Sequence, residues 1–264
     1  MRTAQQYGIK SLYHYQSWNS DWIKDALVNN RVHVSNLKNV NDPWDCRPYF
    51  QISVNDPLSR RNWGERLQRI FEQIPQELRD KLPSPGTGNW YDDKELLRQS
   101  IDRLREWVWQ LNVERWRIYC LIPHANSILM WSHYADGNTG ICIEFDANRH
   151  PFSRAFAMKY EERLPKIGPE DFTGASKRLT EAILLTKSKA WAYEREYRIM
   201  ARDRSIDPTF PVTTEDEYLA VPQGAITAII AGCNAVLEPI RSLVREYAPG
   251  VRVKRAVTEP RIIR

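Results

Sequence analysis

Ile128-Leu129-Met130-Trp131-Ser132-His133-Tyr134-Ala135-Asp136-Gly137-Asn138-Thr139-Gly140-Ile141-Cys142-Ile143-Glu144-Phe145-Asp146 is the stretch from which the rest of the chain is read. Ile128, Leu129, Trp131, Ser132 and Tyr134 give a short helix one face, and Asp136-Gly137-Asn138 breaks it. Gly140 to Phe145 then alternates as a strand, with Cys142 in its middle. A helix, a tight turn and a buried strand thus follow one another within nineteen residues. His133, Tyr134, Glu144 and Asp146 at the ends of these elements point either to a site wall or to the polar rim of a helix packed on the strand it feeds.

Working outward toward the start, Leu12-Tyr13-His14-Tyr15-Gln16 reads as a strand with Tyr13 and Tyr15 on one face and His14 on the other. Caps over 17–20 open a helix through Trp22, Ile23, Ala26 and Leu27, and Arg31 to Ser35 alternates as a second strand. Asn41-Asp42-Pro43 is a turn signal, because Pro43 keeps Asp42 out of the helical region and the short polar side chains bond neighbouring backbone. Asp42 and Asp45 could also hold a cation or a hydroxyl. Residues 57 to 116 read as two charged amphipathic helices, Arg61 to Ile74 and Lys94 to Leu111, joined by a loop over 82–88.

Toward the end, Arg117 to Ile122 and Arg154 to Tyr160 read as strands and Phe172 to Lys189 as a helix. Trp191 to Met200 is expected to enter a strand, with Glu194, Glu196 and Arg198 on one face. Gly232-Cys233-Asn234 is expected to cap a helix that runs between the strands Ala225 to Ala231 and Val251 to Val257, a parallel crossover. The expectation is one α+β domain over 1–264: a mixed, mostly antiparallel sheet flanked by helices, a helical hairpin inserted at 57–116, and a C-terminal strand-helix-strand unit.

Composition narrows the class. Of 264 residues, 42% are hydrophobic and 27% charged, as in ordinary globular proteins, but ten are tryptophan. That excess fits a heavy core or a cleft that stacks on bases. No apolar run reaches spanning length and the start has no apolar leader, so a cytoplasmic protein without membrane contact is expected. Cys46, Cys120, Cys142 and Cys233 form no Cys-x-x-Cys pair, which argues against structural zinc and a disulfide framework. From Arg241 onward there are seven Lys or Arg against two Glu, an excess equal to the whole chain's net charge of +5. Such a face could meet phosphate or simply be solvated.

Three motifs, Asn41-Asp42-Pro43-Trp44-Asp45, Met130 to Asp136 followed by Gly140 to Phe145, and Trp191-Ala192-Tyr193-Glu194-Arg195-Glu196-Tyr197-Arg198, resemble in content and order the signature of the DUF2971 family. That is a bacterial family of unassigned function, and families like it are often accessory or defence genes. The resemblance implies a family and no reaction.

The order of Tyr13-His14-Tyr15, the strand ending at Ser35 and the late Glu194 and Glu196 also resembles the His, Ser or Tyr, and Glu motifs of ADP-ribosyltransferase-like folds. What this implies is NAD as substrate, with His14 on the nicotinamide ribose. Glu196, or else Glu194, would stabilise the oxocarbenium-like transition state. Tyr15, Ser35, Trp44, Trp131, His133, Tyr134 and Arg198 would complete the nucleotide site, and a protein or nucleic acid would be the acceptor. Two alternatives stand beside it. One is a metal-dependent nuclease or phosphodiesterase using Asp42, Asp45, Glu144, Asp146 and Glu196 around magnesium. The other is a non-catalytic module that binds a nucleotide or a partner.

Overall fold

A computed structural model describes residues 1–47, 49–74, 76–79, 88–172, 177–205 and 212–257. Residues 82–87 of the loop expected over 82–88 and the basic residues Arg261 and Arg264 lie outside the described residues. The architecture is α+β with mixed, mostly antiparallel sheets, as the patterning implies. Its chain path divides into two compact units, residues 1–39, 116–158 and 191–264, and residues 40–115 and 159–190. The expected helical stretch falls in the second. Among the described residues no helix is long and apolar enough to cross a membrane.

The first unit is built on Ile141–Asp146, which has a strand at each edge and a cluster on each face, Ile141, Ile143 and Phe145 packing into one and Cys142 into the other. Ser11–Gln16 pairs with it antiparallel, placing Tyr15 opposite Cys142 and Tyr13 opposite Glu144. Ile226–Ala231 pairs on the other side, and Arg252–Arg255 joins that strand in parallel across the helix Leu237–Tyr247. The expected crossover is therefore present. A second, five-stranded sheet has Tyr197–Asp203 antiparallel to Trp116–Leu121, with Ser35–Asn36 at the latter's other edge. One apolar core takes Leu12, Ile143 and Phe145 from the first sheet and Tyr119, Leu121 and Ile199 from the second. Alternation leaves the opposite face of each sheet free to carry polar groups.

The turn that joins the central helix to its strand has three successive left-handed residues, Asp136, Gly137 and Asn138, with φ of 49°, 58° and 72°. Short Asp and Asn side chains and a glycine are what such a path tolerates. Gly140 closes it against the end of the first strand: a Cβ there would collide with the Gln16 carbonyl oxygen and lie 2.9 Å from the Ala135 carbonyl. Gly140→Ala should therefore cost about 1–3 kcal/mol, as overpacking against backbone does. The urea midpoint of the variant measures this, and an unchanged midpoint would mean that the backbone yields.

In the second unit, Pro57–Gln73 and Lys94–Arg115 are the long helices. Asp56 caps the first by accepting from Leu58 and Ser59 N–H, and Asp93 caps the next by accepting from Glu95 and Leu96 N–H. They bury Trp63 and Leu67, and Leu97, Ile101, Leu104 and Trp109. Two short parallel pairs complete the unit, Tyr49–Phe50 with Lys166–Ile167 and Lys159–Glu161 with Thr186–Ser188.

Three expected elements are corrected. The helix expected over Phe172 to Lys189 is described only as Lys177–Leu184, because the Thr186 hydroxyl donates to Glu181 O and the chain turns into a strand beside Lys159–Glu161. The strand expected from Trp191 is a 3-10 helix over Lys189–Glu194. Arg195, at φ 50°, then separates it from the strand Tyr197–Asp203, so Glu194 does not continue the line of Arg198. Gly232 to Asn234 does not cap the C-terminal helix, which starts at Leu237 after Val236 with no side-chain cap.

Candidate functional site

Ser127 starts the helix Ile128–Tyr134 by accepting from the Met130 N–H. The helix lays Trp131 onto the sheet face of Tyr15 and Cys142, with the Trp131 and Tyr15 rings edge to face at 4.9 Å. Both polar handles of that pair are used: Trp131 Nε1 donates to Ala125 O at 2.9 Å and the Tyr15 hydroxyl to His124 O at 3.2 Å. One turn along, the Tyr134 hydroxyl donates to Glu194 Oε1 at 2.7 Å. Glu194 is 2% exposed, and the half-buried rings of Tyr134 and Tyr193 pack on the same cluster. A carboxylate so placed is costly to bury and is held by groups chosen for it.

Glu196 lies two residues on and has a different setting. Its Oε1 accepts from Arg198 Nε at 2.8 Å, with Arg198 fully buried. Arg198 is paired with Cys120 across the five-stranded sheet, and Ser35 with Ile118, so Ser35 and Arg198 share that face. Ser35 is exposed.

His14 is on the other side of both sheets. Along its strand it alternates with Tyr13 and Tyr15, away from Trp131, and its ring stacks on Tyr119 at 4.3 Å, on the face opposite Arg198. Its Nδ1 lies 2.8 Å from Cys120 O, so this nitrogen carries the proton of the neutral ring. The expected meeting of His14 with Glu194 or Glu196 on one wall is corrected accordingly: strand alternation turns the imidazole into the core. Burial holds the His14 pKa below its usual 6.5, more than the hydrogen bond to Cys120 raises it. A depressed folded value means that this group's stabilising contribution is whole above about pH 6.5 and is lost as pH falls below it. Urea midpoints from pH 7 to 5 should therefore fall less steeply in His14→Phe than in the unsubstituted chain, and equal slopes would refute this.

His133 is exposed at the helix's outer side, its ring 6.4 Å from that of Tyr134. Trp44 belongs to the second unit, where it is 61% exposed. The structure thus gathers Tyr15, Trp131, Tyr134 and Glu194, with Glu196 and Arg198 following Glu194 in the chain, and leaves His14 out.

Two of the three motifs lie in this constellation, and they bound a segment that matches a family model. Residues 130–199 match the family model described as "Protein of unknown function (DUF2971)". The early Asn41 to Asp45 motif falls outside the match. No curated protein and no solved structure matches the chain.

The matched segment also contains Glu144 and Cys142. Glu144 is 6% exposed and meets Lys254 Nζ at 2.5 Å, with Arg252 Nη2 at 3.7 Å. Burial, and then the charge of Glu144, push the Cys142 thiol well above its usual range, which keeps it protonated and inert as a nucleophile. Asp146, at the segment's strand end, accepts from Asn148 N–H and faces Arg149. Sequence reasoning gave Tyr193 no role at the site and ranked His124, weighed with Cys120 as a nucleophile and base, below the other readings. His124 has a depressed pKa, through burial first and the charge of Arg195 also, and its Nδ1 is buried without a hydrogen-bond partner among the described residues. Nothing in its spacing pointed there, since Arg195 comes near only through the fold. A separate hollow of about 670 Å³ in this unit is lined by Asn30, Gly224, Tyr247 and Arg252 among others and holds none of the candidate site residues named from the sequence.

Proposed function

We propose that the chain is an enzyme that breaks the glycosidic bond of a nucleotide, with NAD as the first substrate to test. Glu194 is its electrostatic centre. The carrying observation is the Glu194 carboxylate, 2% exposed and held at 2.7 Å by the hydroxyl of Tyr134, whose ring packs with Tyr193 on the cluster of Trp131 and Tyr15. In this reading the N-glycosidic bond breaks with its electron pair leaving on nicotinamide. Positive charge then develops on the ribose, and an acceptor oxygen or nitrogen attacks the anomeric carbon and gives up its proton. A fixed carboxylate stabilises such a cation most where water is excluded, because attraction grows as the local dielectric falls.

Glu196 is the lesser candidate, since its Oε1 is already committed to the Arg198 guanidinium. His14 has no role in this proposal. The magnesium reading is disfavoured by the engagement of its ligands: Glu144 meets Lys254 and Arg252, and Glu196 meets Arg198. Purified chain incubated with NAD, alone and with basic protein or nucleic acid as acceptor, should release nicotinamide in the presence of a chelator. Absence of nicotinamide under all these conditions would refute the reading.

A further inference from the structure

Leaving an indole in water forgoes the free energy of burying it, and Trp44 is 61% exposed. Its turn nonetheless holds it in place. Asp42 Oδ1 accepts from the Trp44 backbone N–H at 2.9 Å, the Asp45 N–H donates to Asp42 O at 3.0 Å, and Pro43 restricts the link between them. Asp42 is itself 3% exposed, and its Oδ2 is buried without a hydrogen-bond partner among the described residues. Two unrelated costs, an aromatic plane in solvent and an orphaned buried carboxylate oxygen, fall within three residues. Such costs are retained where function needs them.

Trp44 forms one wall of a hollow of about 210 Å³ inside the second unit. The other walls are Glu161, Glu162, Arg163 and Leu164, and Thr186, Lys187 and Ser188 of the neighbouring parallel strand. Lys187 is 4% exposed, whereas Glu161 and Arg163 reach solvent. Glu162 is engaged by Lys189 Nζ at 2.6 Å, which leaves Glu161 and Arg163 as the acceptor and the cation at the rim. The volume is below the roughly 300–1,000 Å³ of sites that enclose drug-sized ligands, so it admits one planar group and not a whole dinucleotide. A flat π face, a carboxylate for an exocyclic amine and a guanidinium for a phosphate describe a nucleoside monophosphate whose base carries an exocyclic amine, AMP among them.

We infer that this hollow binds a nucleoside monophosphate whose base carries an exocyclic amine, AMP among them, with the base stacked on Trp44, its amine on Glu161 and its phosphate on Arg163. This goes beyond the reaction proposed above, because it concerns the second unit and requires no turnover. Calorimetric titration of the full chain with AMP tests it, since AMP has no nicotinamide to lose and its binding is read whatever becomes of NAD cleavage. AMP should bind, and Trp44→Ala should weaken it about 5- to 150-fold, the range that loss of one base–aromatic stack produces. Arg163→Ala should weaken AMP while leaving adenosine unchanged. Both side chains are exposed, so a matching thermal midpoint is expected and separates lost binding from lost fold. No binding of AMP at millimolar concentration, or equal AMP affinity in Trp44→Ala, would overturn the inference.

Discussion

Glu194→Gln should lower the rate of nicotinamide release by about 10²–10³-fold, the loss seen when one preorganised electrostatic contact to a developing charge is removed. The substitution keeps the side chain's shape and an oxygen to accept from Tyr134, so it removes a charge and little else. The thermal midpoint should stay near that of the unsubstituted chain, because a neutral amide is less costly to bury than a carboxylate. Turnover measured at saturating NAD in a folded variant therefore isolates the charge. Full activity would remove Glu194 from the mechanism. Activity that survives here but is lost in a folded Glu196→Gln would transfer the role to Glu196.

The second large effect is on stability. Arg198 is fully buried and its Nε donates to Glu196 Oε1 at 2.8 Å, with Glu196 3% exposed. Arg198→Ala removes one partner of a buried carboxylate, which costs about 3–5 kcal/mol in comparable pairs. A urea titration should show the loss as a lower midpoint at similar slope. A loss below about 1 kcal/mol, the usual worth of an exposed pair, would show that the pair is solvated and that its burial misleads.

The two substitutions separate neighbours that look alike in sequence. Glu194-Arg195-Glu196 reads as two acids on one strand face only if the backbone is extended throughout. It is not, because Arg195 takes a left-handed φ of 50° between a 3-10 turn and the strand. Glu194 consequently goes to Tyr134 and Glu196 to Arg198. Nothing in the local pattern signals that break, since arginine has no special preference for positive φ. The helix expected through Lys189 fails for a related reason. Its amphipathic pattern continues past Leu184, but a neighbouring strand offers Thr186 to Ser188 hydrogen bonds that a helix pattern cannot anticipate.

His14 gives the converse lesson. Alternation alone placed it on the face opposite Tyr13 and Tyr15, and the same alternation kept it from the Trp131 wall. Which face would become core was not readable from the strand, because a histidine suits either a ligand contact or a buried hydrogen bond.

By itself the sequence determined the local elements whose periods are strong. These are the helix, turn and strand over 128–146, the two long helices, the C-terminal crossover and the motifs at the two ends of the segment that matches the DUF2971 model. These follow from interactions among residues near one another in the chain, where side-chain period and turn chemistry act directly. Only the tertiary structure decided which carboxylate meets a tyrosine and which an arginine, which sheet face is core, and that Trp44 stands in solvent. Those outcomes depend on contacts between residues as far apart as Tyr134 and Glu194, and a buried charge takes its partner from whatever the packed fold brings within hydrogen-bond reach.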